Sequence, residues 1–255
     1  MRIRYLKDTP AILNASPLVL LQQDDDPSVY QGVWREQFLS VSPSESLEAE
    51  QEPSSESPKA AQVSSSRIAE ERPKAPFKKR LELEIGCGRG RFLSDMATLH
   101  PLTYFIGNEL VPTILARTSK RIETSPAPVH NVRLIQIDAL KLTEVFAPGE
   151  VDRIYLNFSD PWPKTKHHKR RLTSPDFLKV YAAILSPQGD LCFKTDNDDL
   201  FAFSIEMMQE EGWVFLDRTD DLHHSKYRGA NVMTEYEENF MRRGKTIHYV
   251  RAMHP

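Results

Sequence analysis

The chain has 255 residues, 40% of them hydrophobic and 27% charged, an ordinary soluble globular composition with room for a large core. A net charge of −3 excludes a uniformly basic nucleic-acid coat, so any contact with phosphate must come from a local patch. The two cysteines, Cys87 and Cys192, form neither a metal-binding spacing nor a disulfide framework, and a cytoplasmic protein is expected. The run Leu18-Val19-Leu20-Leu21 faintly imitates a signal peptide, but Pro10, Asn14 and Pro17 precede it and Asp24-Asp25-Asp26 stands where a cleavage site should be. Neither export nor a membrane span is expected.

Residues 1–40 read as an arm packing on or beside the domain that follows. Its anchors are Tyr5, Tyr30, Trp34 and Phe38, with a short helix over Val29 to Phe38. From 41 to 76 Ser, Glu, Pro, Ala and Gln dominate and no aromatic residue appears. Such a segment cannot bury enough apolar surface to offset its ordering entropy, so it is expected to be a disordered insert. Its seven glutamates face four basic residues, a surplus equal to the charge of the whole chain, which leaves the rest nearly neutral.

Residues 77–255 read as one α/β domain. Leu81 to Ile85 is a strand, Gly86 to Gly90 a glycine loop, and Arg91 to Leu99 a helix. Further strands are expected over Tyr104 to Gly107, Val132 to Ile137, Asp152 to Asn157, Leu191 to Lys194, Trp213 to Leu216 and Thr246 to Val250. Helices start at Pro112, at Ser174-Pro175, at a cap on Asp198 or Asp199, and at Thr234. The alternation predicts a doubly wound, mostly parallel seven-stranded sheet with helices on both faces, the Rossmann-like arrangement.

Three strand ends carry an acid. In Glu84-Ile85-Gly86-Cys87-Gly88-Arg89-Gly90 the third glycine of a dinucleotide fingerprint is replaced by Arg91. A carboxylate at Glu84 would repel a pyrophosphate but suits a cationic ligand with an amino group, such as S-adenosylmethionine. Glu109 is placed to accept from a ribose diol, and Asp138-Ala139 to hold an adenine amino group beside a small apolar wall.

The most distinctive stretch is Asn157-Phe158-Ser159-Asp160-Pro161-Trp162-Pro163-Lys164, followed by Lys166-His167-His168-Lys169-Arg170-Arg171. A strand end here delivers a carboxylate, a proline-stiffened turn and a lysine to one place. Trp162 between two prolines is read as packing rather than as a base-stacking platform. Adjacent histidines lack a zinc-binding spacing, and no metal site is expected. Cys87 in the glycine loop is read as a small residue, not a nucleophile.

These motifs resemble the bacterial tRNA (guanine-N7-)-methyltransferase family of class I S-adenosylmethionine-dependent methyltransferases. The likeness is carried by Glu84 to Gly90, Gly107 to Glu109, Asp138-Ala139, Asn157 to Leu172, Phe193 to Asn197 and Thr234 to Glu237. Arg2, Arg4 and Gln31 to Trp34 resemble the family's N-terminal arm. The resemblance implies methyl transfer to N7 of guanine 46 in the tRNA variable loop. It implies that Glu84, Gly86, Gly88, Gly90, Glu109, Asp138, Ala139 and Asp160 bind the cofactor, with Asp160 also catalytic. Lys164, Asp196, Thr234, Glu235, Tyr236 and Glu237 become substrate contacts. Lys166, Lys169, Arg170 and Arg171 are the expected footprint for tRNA phosphates.

Ser159, where many members have proline, and Asn231-Val232-Met233 depart from the family pattern. The rival readings are a methyltransferase with another RNA or small-molecule acceptor, and a noncatalytic RNA-binding module on the same fold. A nicotinamide oxidoreductase is disfavoured by Glu84 and Arg91. A monomer or homodimer is expected. Deleting 41–76 is expected to leave methyl transfer nearly intact, because closing a short loop costs little entropy. A folded deletion variant without activity in a labelled-methyl assay would refute this.

Overall fold

Two central strands explain most of the architecture. In a computed structural model that describes Leu6 and residues 8–39, 79–127 and 129–255, β2 is Leu81–Ile85 and every one of its residues is buried. (Numbering follows chain order: α1 Thr9–Ala15, β1 Val19–Leu21 and α2 Trp34–Leu39 precede it.) Full burial of a strand needs helices on both faces. Leu81, Leu83 and Ile85 join the core under Phe146, Leu178 and Tyr181. On the other face Phe105, Tyr155 and Cys192 pack with Phe92, Leu93 and Met96. The segment 41–76 and the arm residues Arg2, Arg4 and Tyr5 lie outside the described residues.

The chain then runs α3 (Arg91–Leu99), β3 (Tyr104–Asn108), α4 (Pro112–Glu123), β4 (Val132–Ile135), α5 (Leu142–Val145), β5 (Val151–Asn157), α6 (Pro175–Ile184), β6 (Leu185–Thr195), α7 (Asp198–Glu210), β7 (Val214–Thr219), α8 (Glu235–Met241) and β8 (His248–Met253). The sheet order is β1-β4-β3-β2-β5-β6-β8-β7, and only β8 runs against its neighbours. From β2 the chain steps outward to β3 and β4, then crosses back to β5 on β2's other side. The connections leave β2 and β5 in opposite directions, so a crevice opens between their carboxyl ends, where doubly wound sheets hold ligands.

All seven expected strands form, and an eighth joins them. Val19–Leu21, in the run that imitates a signal peptide, pairs parallel with β4 at the sheet edge. Leu134 donates its N–H to Leu18 O at 2.7 Å, and Gln136 to Leu21 O at 2.8 Å. A three-residue edge strand carries no periodic signal of its own; pairing creates it. The single helix expected over Val29 to Phe38 is divided into a 3₁₀ turn, Pro27–Tyr30, and α2. Gly32 between them is left-handed (φ 82°), and the Glu150 carboxylate accepts from the N–H groups of both Gly32 and Trp34. The cap of α7 is Asn197, whose side chain accepts from Leu200 N, and not Asp198 or Asp199, which lie in the first turn. Ser174 precedes α6, but its hydroxyl donates to Lys169 O instead of serving as a cap acceptor.

Trp34 anchors the arm. It is fully buried, donates Nε1–H to Val145 O at 2.9 Å, and stacks between Tyr30 and Phe146. Trp34→Ala should therefore lower stability by about 3 to 5 kcal/mol, the range for deleting a buried large aromatic side chain. Urea denaturation measures this, and a loss under about 1 kcal/mol would mean that the arm packs only loosely.

Candidate active site

At the end of β2 the backbone turns under Asn108, whose carbonyl accepts from Gly86 N and Cys87 N at 2.8 and 3.0 Å. Gly86, Gly88 and Gly90 all have positive φ. A Cβ added to Gly90 would lie 2.5 Å from Thr118 Cγ2, so glycine is required there by conformation and by the approach of α4. Over Gly86 no atom lies within 4 Å of that position, which leaves an open cradle.

Glu84 faces this cradle. Asn157 Nδ2 donates to its Oε1 at 2.8 Å, while the buried Oε2 has no hydrogen-bond partner. Burial pushes its pKa up to about 8, opposed by the Asn157 hydrogen bond and by Lys194 and reinforced by Glu109. An orphaned buried carboxylate oxygen beside open glycine backbone fits a ligand carrying an ammonium group. Burial also raises the pKa of Glu109, opposed by the N–H groups of Val111 and Gly88 and reinforced by the charge of Asp160. The loop that carries Asp160 thus lies near enough to Glu109 for the two charges to act on each other. Asp138 caps the 3₁₀ turn Ala139–Lys141, accepting from Leu140 N at 3.0 Å. It lines a cavity of about 320 Å³ with Leu110, Ile137 and the arm residues Gln22 and Gln23. Ala139 is buried in the core beneath and offers little wall, so exposed Leu110 is the better apolar surface there. Cys87 is buried, and burial with Glu84 and Glu109 raises its thiol far above the ordinary value, which removes it as a nucleophile.

Across the crevice the loop after β5 is strained. Phe158 and Trp162 have φ of 54° and 40°, a region bulky side chains rarely occupy, at a cost of about 1 to 3 kcal/mol each. Tertiary contacts hold both. Phe158 donates N–H to Lys194 O at 2.9 Å and stacks on Phe240 of α8. Arg171 donates Nε–H to Pro161 O at 2.9 Å, and Arg170 lies over the Trp162 ring. Prolines alone do not set this turn, since a residue before proline favours extended backbone and Trp162 is left-handed.

Arg171 is thereby removed from the expected phosphate footprint. It is 3% exposed, packs over Phe203 and braces the turn. Lys164, Lys166, Lys169 and Arg170 are exposed, and among the described residues none of them makes a salt bridge. Asp160 is also exposed. Asp196, at the end of β6, lies 3.6 Å from Lys245.

The expected substrate element Thr234 to Glu237 divides in two. Thr234 is the N-cap of α8 and forms a reciprocal capping box with Glu237. Glu237 is fully buried and pairs with Lys194 Nζ at 2.9 Å, so it braces the element from inside and presents no surface to a substrate, while Thr234 caps the helix at the edge of the groove. Glu235 pairs with Arg121 and approaches Arg89, while Tyr236 is 55% exposed. Arg91, the residue in place of the third fingerprint glycine, binds Glu238 through two hydrogen bonds of 2.8 and 2.7 Å. Thr234, Glu235 and Tyr236 consequently share one groove with Glu84, Gly86, Gly88, Gly90 and Asn157. Sequence reasoning assigned no role to Asn157, Lys194 or Glu238. The lysine in the apolar strand Leu191-Cys192-Phe193-Lys194 was the one available signal, because a buried lysine needs a partner.

Among the described residues no group of three or more His, Cys, Asp or Glu side chains could hold a metal ion, and no helix is long and apolar enough to cross a membrane.

A doubly wound sheet with a glycine loop, acids on successive strand ends and a second loop at the switch point defines a Rossmann-like methyltransferase. The solved structure of the 16S rRNA methyltransferase KamB matches with a TM-score of 0.52 at 15% identity, covering 69% of this chain and 89% of that one. An antibiotic-related methyltransferase matches at 0.50 and 20% identity, over 68% and 86%. At these identities the likeness is one of fold. The family described as "Putative methyltransferase" matches residues 78–250. The tRNA (guanine-N(7)-)-methyltransferase of Brevibacillus brevis is 39% identical over 252 residues, 99% of this chain and 98% of the relative. That of Lachnoclostridium phytofermentans is 48% identical over 172 residues, 68% and 79% of the two chains. The chain belongs to the family of these tRNA (guanine-N(7)-)-methyltransferases.

The raised pKa of Glu84 has a measurable consequence. Its folded value of about 8 exceeds the ordinary 4.5, so the native state holds the proton that the unfolded chain releases. This contribution to stability is full below about pH 4.5 and is lost as pH rises towards 8. Glu84→Gln should be nearly insensitive to pH on this account. Urea unfolding of both proteins from pH 5 to 8.5 should show the wild type losing stability relative to the variant, and parallel curves would refute it.

Proposed function

We propose that this chain transfers a methyl group from S-adenosylmethionine to N7 of guanine in tRNA, at position 46 of the variable loop. One observation carries the reading: Glu84 on β2 lines the glycine-loop groove with an unpartnered oxygen and accepts from Asn157, the last residue of the neighbouring strand β5 that leads into the Asp160 loop. When bound, S-adenosylmethionine supplies an electrophilic methyl group. Glu84 would hold the ammonium with its free oxygen, and the proton it carries near neutral pH would pass to solvent water as that positive charge takes its place. Glu109, already accepting from Gly88 and Val111 N–H, retains lone pairs for a ribose hydroxyl. Asp138 and Leu110 take the adenine side.

Guanine N7 has a lone pair and no proton to lose, so its attack needs no general base. What the protein must provide is in-line placement and negative charge beside a ring that becomes cationic. Asp160, exposed on a loop braced by Arg171, meets the second need and accepts from the N–H groups of guanine's Watson–Crick edge. Lys164, exposed on the same loop, donates to O6. Asp196, steadied by Lys245, is a second acceptor across the crevice. Exposed Lys166, Lys169 and Arg170 receive the backbone phosphates.

Incubation with unfractionated tRNA and labelled S-adenosylmethionine, followed by identification of the modified nucleoside and its position, tests the whole reading. Label in a nucleoside other than 7-methylguanosine would overturn it. Asp160→Asn should cut single-turnover rate by about two orders of magnitude, the scale of one preorganised electrostatic contact. Lys164→Ala should also cut it, and because N7 carries no proton neither variant should recover between pH 6 and 9. Strong recovery at high pH would point to an acceptor that loses a proton.

A further inference from the structure

We propose that the turn after α8, Arg242-Arg243-Gly244-Lys245, is a second phosphate-binding site for the RNA. It lies across the active-site crevice from the Lys166–Arg170 run. The inference rests on the RNA-substrate reading above and adds where the polyanion must run.

The turn is tightly built. Arg243 and Lys245 donate their N–H groups to Phe240 O at 3.0 and 3.1 Å, Gly244 donates to Met241 O at 2.9 Å, and Gly244 is left-handed (φ 68°). All four residues of the turn are exposed. Among the described residues, neither Arg242 nor Arg243 has a carboxylate within salt-bridge distance; Arg242 acts on Glu238 only at longer range. Two free guanidiniums on a rigid turn suit phosphate oxygens, which they can bind in bidentate fashion.

The fold fixes where the turn sits. It leads into β8, whose neighbour β6 ends at Thr195, one residue before Asp196, and β6 in turn neighbours β5, which leads into the Asp160 loop. Phe240, at the start of the turn, stacks on Phe158 of that loop with ring centroids 5.8 Å apart, and Lys245 reaches Asp196. The crevice thus carries acids at Asp160 and Asp196 and, on each side, exposed basic residues of which, among the described residues, Lys245 alone is paired with an acid. An acidic floor repels a phosphate chain and accepts base N–H groups. A strand whose phosphates lie on both clusters presents one base to the floor.

There is a competing local role. Basic residues at a helix C-terminus oppose the acids Glu235, Glu237 and Glu238 of the first turn and stabilise α8 through its dipole. The two roles separate by measurement. In the double variant Arg242→Ala/Arg243→Ala, affinity for unfractionated tRNA should fall about tenfold or more at low salt. The slope of log K against log salt should lessen by about two phosphate equivalents. Combined with Lys169→Ala/Arg170→Ala, the losses should add. S-adenosylmethionine affinity should stay unchanged. An unchanged salt slope overturns the proposal, and a lowered melting temperature with that slope assigns the arginines to helix stability alone. Wild-type binding of tRNA without methylation would sink the functional reading while leaving the surface intact. Absence of tRNA binding would overturn both.

Discussion

The site depends on one hydrogen bond, from Asn157 Nδ2 to Glu84 Oε1 across the boundary of β5 and β2. These strands are neighbours whose connections depart in opposite directions, so no crossover covers the crevice above them. The bond orients a carboxylate that burial would otherwise leave without direction, and it leaves the second oxygen without a partner beside the glycine loop. Asn157 is also the last residue of β5, from which the loop bearing Asp160 departs. The strand under the glycine loop and the strand leading to Asp160 are therefore tied at a single pair of side chains.

Around that bond arginine and lysine side chains act as struts. Arg171 braces Pro161, Arg91 clasps Glu238, and Lys194 holds Glu237, Asn231 and the Val232 carbonyl. Each charge is partly or fully withdrawn from water, and breaking such a pair from one side costs more than the pair contributes, because the partner is left buried. The struts let the Asp160 loop keep two bulky residues in left-handed backbone. They also make α8 a shared wall, since the helix that carries Tyr236 is fastened to the start of α3 through Arg91 and to α4 through Arg121.

The arm contributes to the site through the sheet. β1 lengthens the sheet beyond β4, so Gln22 and Gln23 come to the same carboxyl edge as Asp138. Trp34 and Glu150 fix the other end of the arm, the first by burial and the second by accepting from Gly32, Trp34 and Ala147 N–H. Residues distant in sequence from Asp138 thus line one cavity with it.

Local pattern alone determined the strand and helix alternation, the glycine loop with its three acids, and the Asp160 stretch, because each rests on backbone preference, periodicity or an unusual cluster of residue types. Gly86 to Gly90 and the run through Pro161-Trp162-Pro163 are legible since few sequences tolerate them without a reason. The seven strands follow from apolar runs bounded by turns. Other features were decided only in three dimensions. Whether an arginine of the Lys169-Arg170-Arg171 run meets solvent or a carbonyl depends on what packs over it, and Phe203 with Pro161 settles that for Arg171 alone. Glu237 looks like part of a substrate motif, yet it is held in the interior by Lys194, more than forty residues earlier on β6. β1 exists because β4 offers it a hydrogen-bonding edge, and Glu84 holds its proton because the fold withdraws it from water. Sequence specifies which groups are available; desolvation and pairing are properties of neighbours, and only the fold supplies the neighbours.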